Sequence, residues 1–264
     1  MPAKIGVLFI GDIMGRPGRH ALRTALPQLR EKHRPDFVVA NGENSAGGVG
    51  ITEEIGRDLF AFVDVLTSGN HVWDKKDAFL YMDKEPRLLR PANYPAVNPG
   101  RGSYVASNAR GQKLGVLNLQ GRVFMEPLDC PFRAADSAVE TLRRETPCIL
   151  VDLHAEATSE KQALGWYLDG RVSALVGTHT HVPTADGRIL PGGTAFISDV
   201  GMAGARNSVI GMRREQAREK FLTGRPVRFE PASGGIFLSA VFIEIDVETG
   251  LALSLTQEIY TEDE

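Results

Sequence analysis

Gly177-Thr178-His179-Thr180-His181 follows an apolar run, Val172 to Val176, that reads as a buried strand, so two imidazoles leave a sheet edge together. On extended backbone, residues separated by one point the same way, and His179 and His181 would then face one point in space. Neutral imidazole is a good ligand for zinc, iron, manganese or copper, and a short rigid segment lowers the cost of ordering two of them. A bare H-x-H is also met as a pair of surface histidines, so the rest of the chain must decide.

Other polar residues follow other apolar runs. In open α/β sheets the binding crevice lies beyond the carboxyl ends of the strands, and those positions here carry Asp12, Glu43 with Asn44, Asn70 with His71, and His154. These are oxygen and imidazole donors. Each has a local alternative: Asp12 bonding turn amides, Glu43 and Asn44 shaping a loop, Asn70 taking a turn position. Their coincidence favours a shared site, since four of the six histidines fall at strand ends. His20 and His33 lie in or just beyond the first helix and read as solvated. Arg16, Arg19 and Arg206 could border a cleft but read as ordinary surface charge. Glu156 could support a helix terminus or act in catalysis, and Asp186-Gly187 reads as a hairpin turn. The Gly-rich loop from Asn41 to Gly50 has neither a G-K-[ST] ending nor G-x-G-x-x-G, which argues against an ATPase or a dinucleotide dehydrogenase.

The elements that must position these residues alternate. A strand at about residues 4 to 11 leads through Gly15-Arg16-Pro17-Gly18 to a helix ending near residue 32, with Pro17 at its start. Further strands are expected at 37–40, 63–67, 103–106, 114–119, 148–153 and 172–176. Thr52 is expected to cap a helix reaching about Phe62, Asp74 to cap a short helix, and a further helix is expected to be capped near Thr158. A long connection from Gln120 to Ala135 precedes a helix from about Asp136. The last third reads as strands at 194–197, 235–246 and 251–259 with few helices, and Asp246 to Gly250 suits a hairpin connection. A mixed sheet, or two packed sheets flanked by helices, fits better than a purely parallel sheet.

The chain has 264 residues, 42% hydrophobic and 24% charged, with a formal net charge of -3. That length suits one large domain over 1–264 with a sizeable core. The charge gives no strong general nucleic-acid-binding signal and leaves small anionic substrates open. Cys148, one of two cysteines, opens an apolar run and suits a small core position. The apolar run Ile5 to Ile10 is too short for a membrane span and lacks a signal-type cleavage site, so a cytoplasmic protein without membrane attachment is expected.

Gly11-Asp12-Ile13-Met14-Gly15, Asn41-Gly42-Glu43-Asn44, Gly69-Asn70-His71-Val72-Trp73-Asp74, Arg90-Pro91-Ala92-Asn93-Tyr94-Pro95, His154-Ala155-Glu156-Ala157-Thr158, Gly177 to His181 and Asp199-Val200-Gly201-Met202 together resemble the calcineurin-like metallophosphoesterases, in their bacterial YmdB-type branch. The superfamily usually has D-x-H after its first strand and G-D after its second. Met14 and Glu43-Asn44 stand there instead, as in the YmdB-type pattern, so metal preference does not carry over from the wider group.

The resemblance implies a four-layer αββα sandwich of two mixed β-sheets. It implies two divalent or mixed-valence metal ions, Fe and/or Mn, one held by Asp12, Glu43, Asn44 and His181 and the other by Glu43, Asn70, His154 and His179, with Glu43 bridging. Two divalent ions with Asp12 and Glu43 leave a local excess of about +2, which attracts phosphate. A bridging hydroxide would attack a phosphodiester in line, and His71 would protonate the leaving oxygen or donate to a phosphoryl oxygen. Small phosphodiesters, including 2′,3′-cyclic and other cyclic nucleotides, are the implied substrates. A phosphomonoesterase, and a nucleotide- or protein-binding regulator with slow hydrolysis, are the competing readings. A homo-oligomer is left open.

Overall fold

Alternate residues of the first strand, β1 (Lys4–Ile10), belong to two different cores: Ile5, Val7 and Phe9 to one, Leu8 and Ile10 to the other. Such a strand lies in a sheet covered on both faces, which the period of two requires when every residue but the first is buried. The computed structural model describes residues 3–262; the two terminal residues at each end of the span expected as one domain lie outside it.

The first sheet has seven strands. Its path runs β2 (Asp12–Ile13), β11 (Met202–Ala205), β12 (Ile236–Asp246), β1, β3 (Phe37–Asn41) and β4 (Val65–Thr67), with β13 (Ala252–Glu262) also paired to β12. β1, β3 and β4 run parallel, whereas β12 is antiparallel to β1, β11 and β13. The second sheet has the order β5 (Ser103–Ser107), β6 (Lys113–Gln120), β7 (Ile149–His154), β8 (Ala174–Thr178), β10 (Ala195–Ile197), β9 (Arg188–Ile189). It is parallel from β6 to β10 and antiparallel at both edges.

Three cores define four layers. Helices α1 (Gly15–His33), α2 (Glu53–Leu59) and α3 (Lys76–Lys84) bury Leu22, Leu26, Leu59 and Met82 against Leu8, Val38 and Leu66 of the first sheet. Val39, Val65 and Ile243 of that sheet meet Val116, Leu150 and Val176 of the second. Helices α4 (Pro131–Arg143) and α5 (Thr158–Leu168) bury Val139, Leu142 and Leu164 against Leu117, Val151 and Leu175 on the far side. The architecture is the four-layer αββα sandwich. A sixth helix, α6 (Arg214–Thr223), is largely exposed and buries only Ala217, which explains why its weak apolar pattern gave no expectation.

Several local expectations change. α4 begins at Pro131, five residues before the expected start, because Pro131 occupies the first turn where its missing N–H costs nothing. Thr52 caps α2, accepting from Ile55 N. Lys75, not Asp74, stands at the N-cap of α3, whereas the α5 N-cap, Ala157, adjoins Thr158 as expected. His33 is not solvated: it stacks on Phe242 at 4.4 Å and its Nε2 lies 2.9 Å from Glu258. Asp186 makes no hairpin turn and instead accepts from Ser198 N and from the Thr184 and Ser198 hydroxyls. No described helix is long and apolar enough to cross a membrane.

Candidate metal centre

The carboxyl ends of β1, β3, β4, β7 and β8 bear the eight expected residues, of which seven enter the two groups below, His71 being the exception. The division between sheets is complete: Asp12, Glu43, Asn44 and Asn70 lie in or after strands of the first sheet, and His154, His179 and His181 close or follow strands of the second. Oxygen donors therefore come from one sheet and nitrogen donors from the other.

Around His154 Nε2 stand Asn70 Oδ1 at 2.9 Å, Glu43 Oε1 at 3.0 Å and His179 Nδ1 at 3.0 Å. Hydrogen bonding decides what those atoms present. Thr178 Oγ1 donates to Asp152 Oδ1 at 2.8 Å and so accepts from His154 Nδ1 at 3.0 Å. That leaves the His154 Nε2 lone pair pointing at the cluster. His179 Nε2 lies 3.1 Å from the Glu156 carboxylate, which fixes its proton there and leaves Nδ1 as the second lone pair. Two nitrogens and two oxygens with no proton of their own converge on one point, and Glu43, His154 and His179 form a group able to hold a metal ion.

A second group adjoins it. His181 donates from Nδ1 to the Ile210 carbonyl at 2.8 Å, so its Nε2 lone pair faces Asp12 Oδ1 at 3.9 Å. Asn44 Nδ2 is committed to Gly48 O at 3.0 Å, which orients its Oδ1 the other way. Asp12 Oδ1, Glu43 Oε1 and Asn44 Oδ1 are buried and lack a hydrogen bond of acceptable geometry. Orphaned buried acceptors are costly and rare, and three of them, Asp12 Oδ1 facing a free imidazole nitrogen, fit cations. The mixed oxygen and nitrogen donor set suits first-row divalent metals.

Charge is balanced by protons when no metal balances it. Burial alone would lower the pKa of His154, but Glu43, Asp12 and Asp152 around it prevail and push it up to about 9. Burial works against ionised Glu43, yet His154 and the His71 amide hold its pKa down at about 2. Burial and the neighbouring His154 push His179 down to about 3. Burial raises Asp12, and it pushes Asp152 up to about 7 against the Thr67 hydroxyl donating at 2.5 Å.

The backbone carrying His179 and His181 is not extended. Their φ angles are 101° and 64°, so the two side chains reach separate groups and do not share one direction as strand geometry would require. The left-handed kinks are held in place by Asp199, which accepts from Thr180 N at 3.0 Å and from Lys161 Nζ at 2.7 Å, and by Asp12 Oδ2, which accepts from His179 N at 3.2 Å. Strain of this kind persists where surrounding structure over-determines it.

His71 stands apart from both groups. Its amide donates to Glu43 Oε2 at 3.1 Å, its Nδ1 meets Asp74 Oδ2 at 2.8 Å, and its side chain is one-third exposed. Asp74 thus orients an imidazole. Sequence reasoning also missed Asn41, Asp152 and Thr178, which brace His154, and Lys161, which braces Asp199; their signal was burial of polar residues within strands and on an inner helix face. Gly69 leaves room for the His154 ring: a Cβ there would lie 2.1 Å from His154 Cδ2. Met14 packs against Gly48, Gly204 and Gly211. Arg16 lines a cavity of about 620 Å³ with His20 and Arg23 that includes none of the clustered residues, and Arg19 donates to Ser45 O.

A family model described as YmdB-like protein matches residues 8–257. A Bacillus subtilis (strain 168) protein named 2′,3′-cyclic-nucleotide 2′-phosphodiesterase is 51% identical over 259 residues, covering 97% of each chain. Among solved structures, a hypothetical protein from Thermus thermophilus aligns with a TM-score of 0.90 at 43% identity over 98% of this chain and 100% of that one. A Mycoplasma pneumoniae protein described as a novel phosphatase aligns with a TM-score of 0.92 at 36% identity, over 100% and 96%.

Proposed function

The chain belongs to the YmdB-like protein family, and from that premise we propose that it is a metal-dependent phosphoric diester hydrolase that opens 2′,3′-cyclic nucleotides. One observation carries the reading: the lone pairs of His154 Nε2 and His179 Nδ1, with Asn70 Oδ1 and Glu43 Oε1, enclose a point that only a cation satisfies. The name of the Bacillus relative supplies the substrate class.

In this reading Glu43, Asn70, His154 and His179 hold one metal and Asp12, Glu43, Asn44 and His181 a second, with iron or manganese as the ions. Bound there, a pair of divalent ions supplies positive charge to phosphoryl oxygens and an activated water. The chain's own part is positional. Thr178 and the Ile210 carbonyl fix the tautomers of His154 and His181, and Asp199 fixes the turn between His179 and His181. His71, whose ring meets Asp74 and whose amide is tied to Glu43, would in this reading give a proton to the leaving oxygen. Water adds across the P–O2′ bond, the 2′ oxygen leaves with a proton, and a 3′-monoester remains. The enzyme is a cytoplasmic one whose partner is its small substrate.

Metal analysis of the purified protein with a substrate panel tests this. Turnover of 2′,3′-cyclic nucleotides above 3′,5′-cyclic nucleotides and aryl monoesters, lost on chelation and restored by iron or manganese, is expected. Preference for monoesters would make it a phosphomonoesterase, and tight nucleotide binding by metal-replete protein without turnover would make it a regulator.

A further inference from the structure

Five non-glycine residues among those described have positive φ: Arg34, Phe124, His179, His181 and Ile210. A bulky side chain in that region is strained, and an outlier calls for a local cause. Arg34 closes α1 as its C-cap, and the two histidines turn toward the metal groups. Ile210 and Gly211 form the two-residue turn between Val209 and Met212, and the Ile210 carbonyl holds His181. Phe124, with φ 63° and 89% of its surface exposed, serves none of these purposes.

Its loop is built to be still. Asn93 clamps both ends, donating to Gln120 O at 2.8 Å and Asp129 O at 3.0 Å and accepting from Gln120 N at 2.9 Å. The buried Glu160 carboxylate accepts from Arg122 N and Val123 N at 3.1 Å each. Gly121 N bonds the carbonyl of His154 itself at 2.9 Å, so the loop leaves the sheet beside the metal groups, and Phe124 is three residues further on. A rigid mount carrying a strained, solvent-facing aromatic ring, three residues beyond a backbone bond to His154, is the arrangement that stacking on a flat ligand needs.

We propose that Phe124 is the nucleobase platform of the site, a specificity-determining residue that stacks on the base of a 2′,3′-cyclic nucleotide whose phosphate lies at the metal groups. The assignment rests on the proposed hydrolase reading for its substrate. Every base has a π-face, so the platform confers affinity for nucleotides over base-free diesters without selecting strongly among bases.

The test compares a 2′,3′-cyclic nucleotide with the 2,3-cyclic phosphate of methyl ribofuranoside, which keeps the reacting group and lacks the base. Phe124→Leu and Phe124→Gly are expected to raise KM for the nucleotide by about 5- to 150-fold, the range of base–aromatic stacking, and to leave the base-free compound unchanged. Phe124→Trp is expected to restore the nucleotide KM. Phe124→Gly relieves the left-handed strain and is expected not to lower Tm, whereas a merely structural Phe124 would lower it. Parallel losses on both compounds, or none on either, would overturn the assignment. If wild-type protein turns over neither compound, the hydrolase reading fails; binding of the 3′-nucleotide against the 3-phosphate of methyl ribofuranoside, in wild type and Phe124→Leu, then decides the platform separately.

Discussion

His154 Nε2 and His179 Nδ1 stand 3.0 Å apart, and only a positive charge between them makes that distance favourable. Their other nitrogens are committed to Thr178 and Glu156, so neutral rings would oppose two lone pairs. A proton and a metal ion therefore compete for one place.

Metal uptake by metal-free protein at pH 7 should release about one proton from His154, whose pKa is pushed up to about 9. Calorimetric titrations in buffers of different ionisation heat measure it. Release unaffected by His154→Gln would show that the proton lies elsewhere.

The same shift sets a stability profile. The His154 pKa is raised above its ordinary 6.5, so its contribution is full below about pH 6.5 and is lost as pH climbs through about 9. Tm of the metal-free protein should fall across that window. The metal-loaded protein should fall less, because the ion occupies the proton's place.

His71→Ala should keep bound metal and lose about 10² to 10⁴-fold in kcat. Asp74→Asn should lower kcat by a smaller factor with metal stoichiometry intact, since it loosens the ring without removing it. Loss of metal from either variant would move His71 into the ligand set.

Gly69→Ala should weaken metal binding by about 10- to 100-fold, the usual cost of disturbing a ligand's support, because the new methyl would displace the His154 ring. Competition with a chromogenic chelator measures it. Unchanged affinity would mean that the ring has room to yield.

Lys161→Met should destabilise the fold by about 3 to 5 kcal/mol, the cost of leaving one member of a buried ion pair alone, since Lys161 and Asp199 are both 1% exposed. Denaturant unfolding gives the value. Because Asp199 also holds Thr180 N, metal affinity should fall with it.

The layers were legible because burial on both faces leaves near-continuous apolar strands, as at Leu8 to Ile10 and Leu150 to Leu153. The candidate site residues were legible because oxygen and imidazole donors recur after such runs. What stayed hidden was conformational or conferred by packing. The pattern G-T-H-T-H reads as a continuing strand, yet Asp199, eighteen residues beyond His181, imposes the kinks through Thr180. Phe124 offers no local signal at all, since a phenylalanine within a long connection gives no hint of positive φ. Asp74 has the composition of a cap, and only the fold shows that its carboxylate faces His71.

The division of oxygen donors to one sheet and nitrogen donors to the other turns any ion held there into a rivet through the two sheets. Slippage of one sheet over the other would open the distances between oxygen and nitrogen donors together, among them Glu43 to His154 at 3.0 Å and Asn70 to His154 at 2.9 Å. The core between the sheets, to which Val39 and Leu150 both belong, is then part of the site's tuning, and metal occupancy becomes a gauge of how well the two halves of the sandwich are seated.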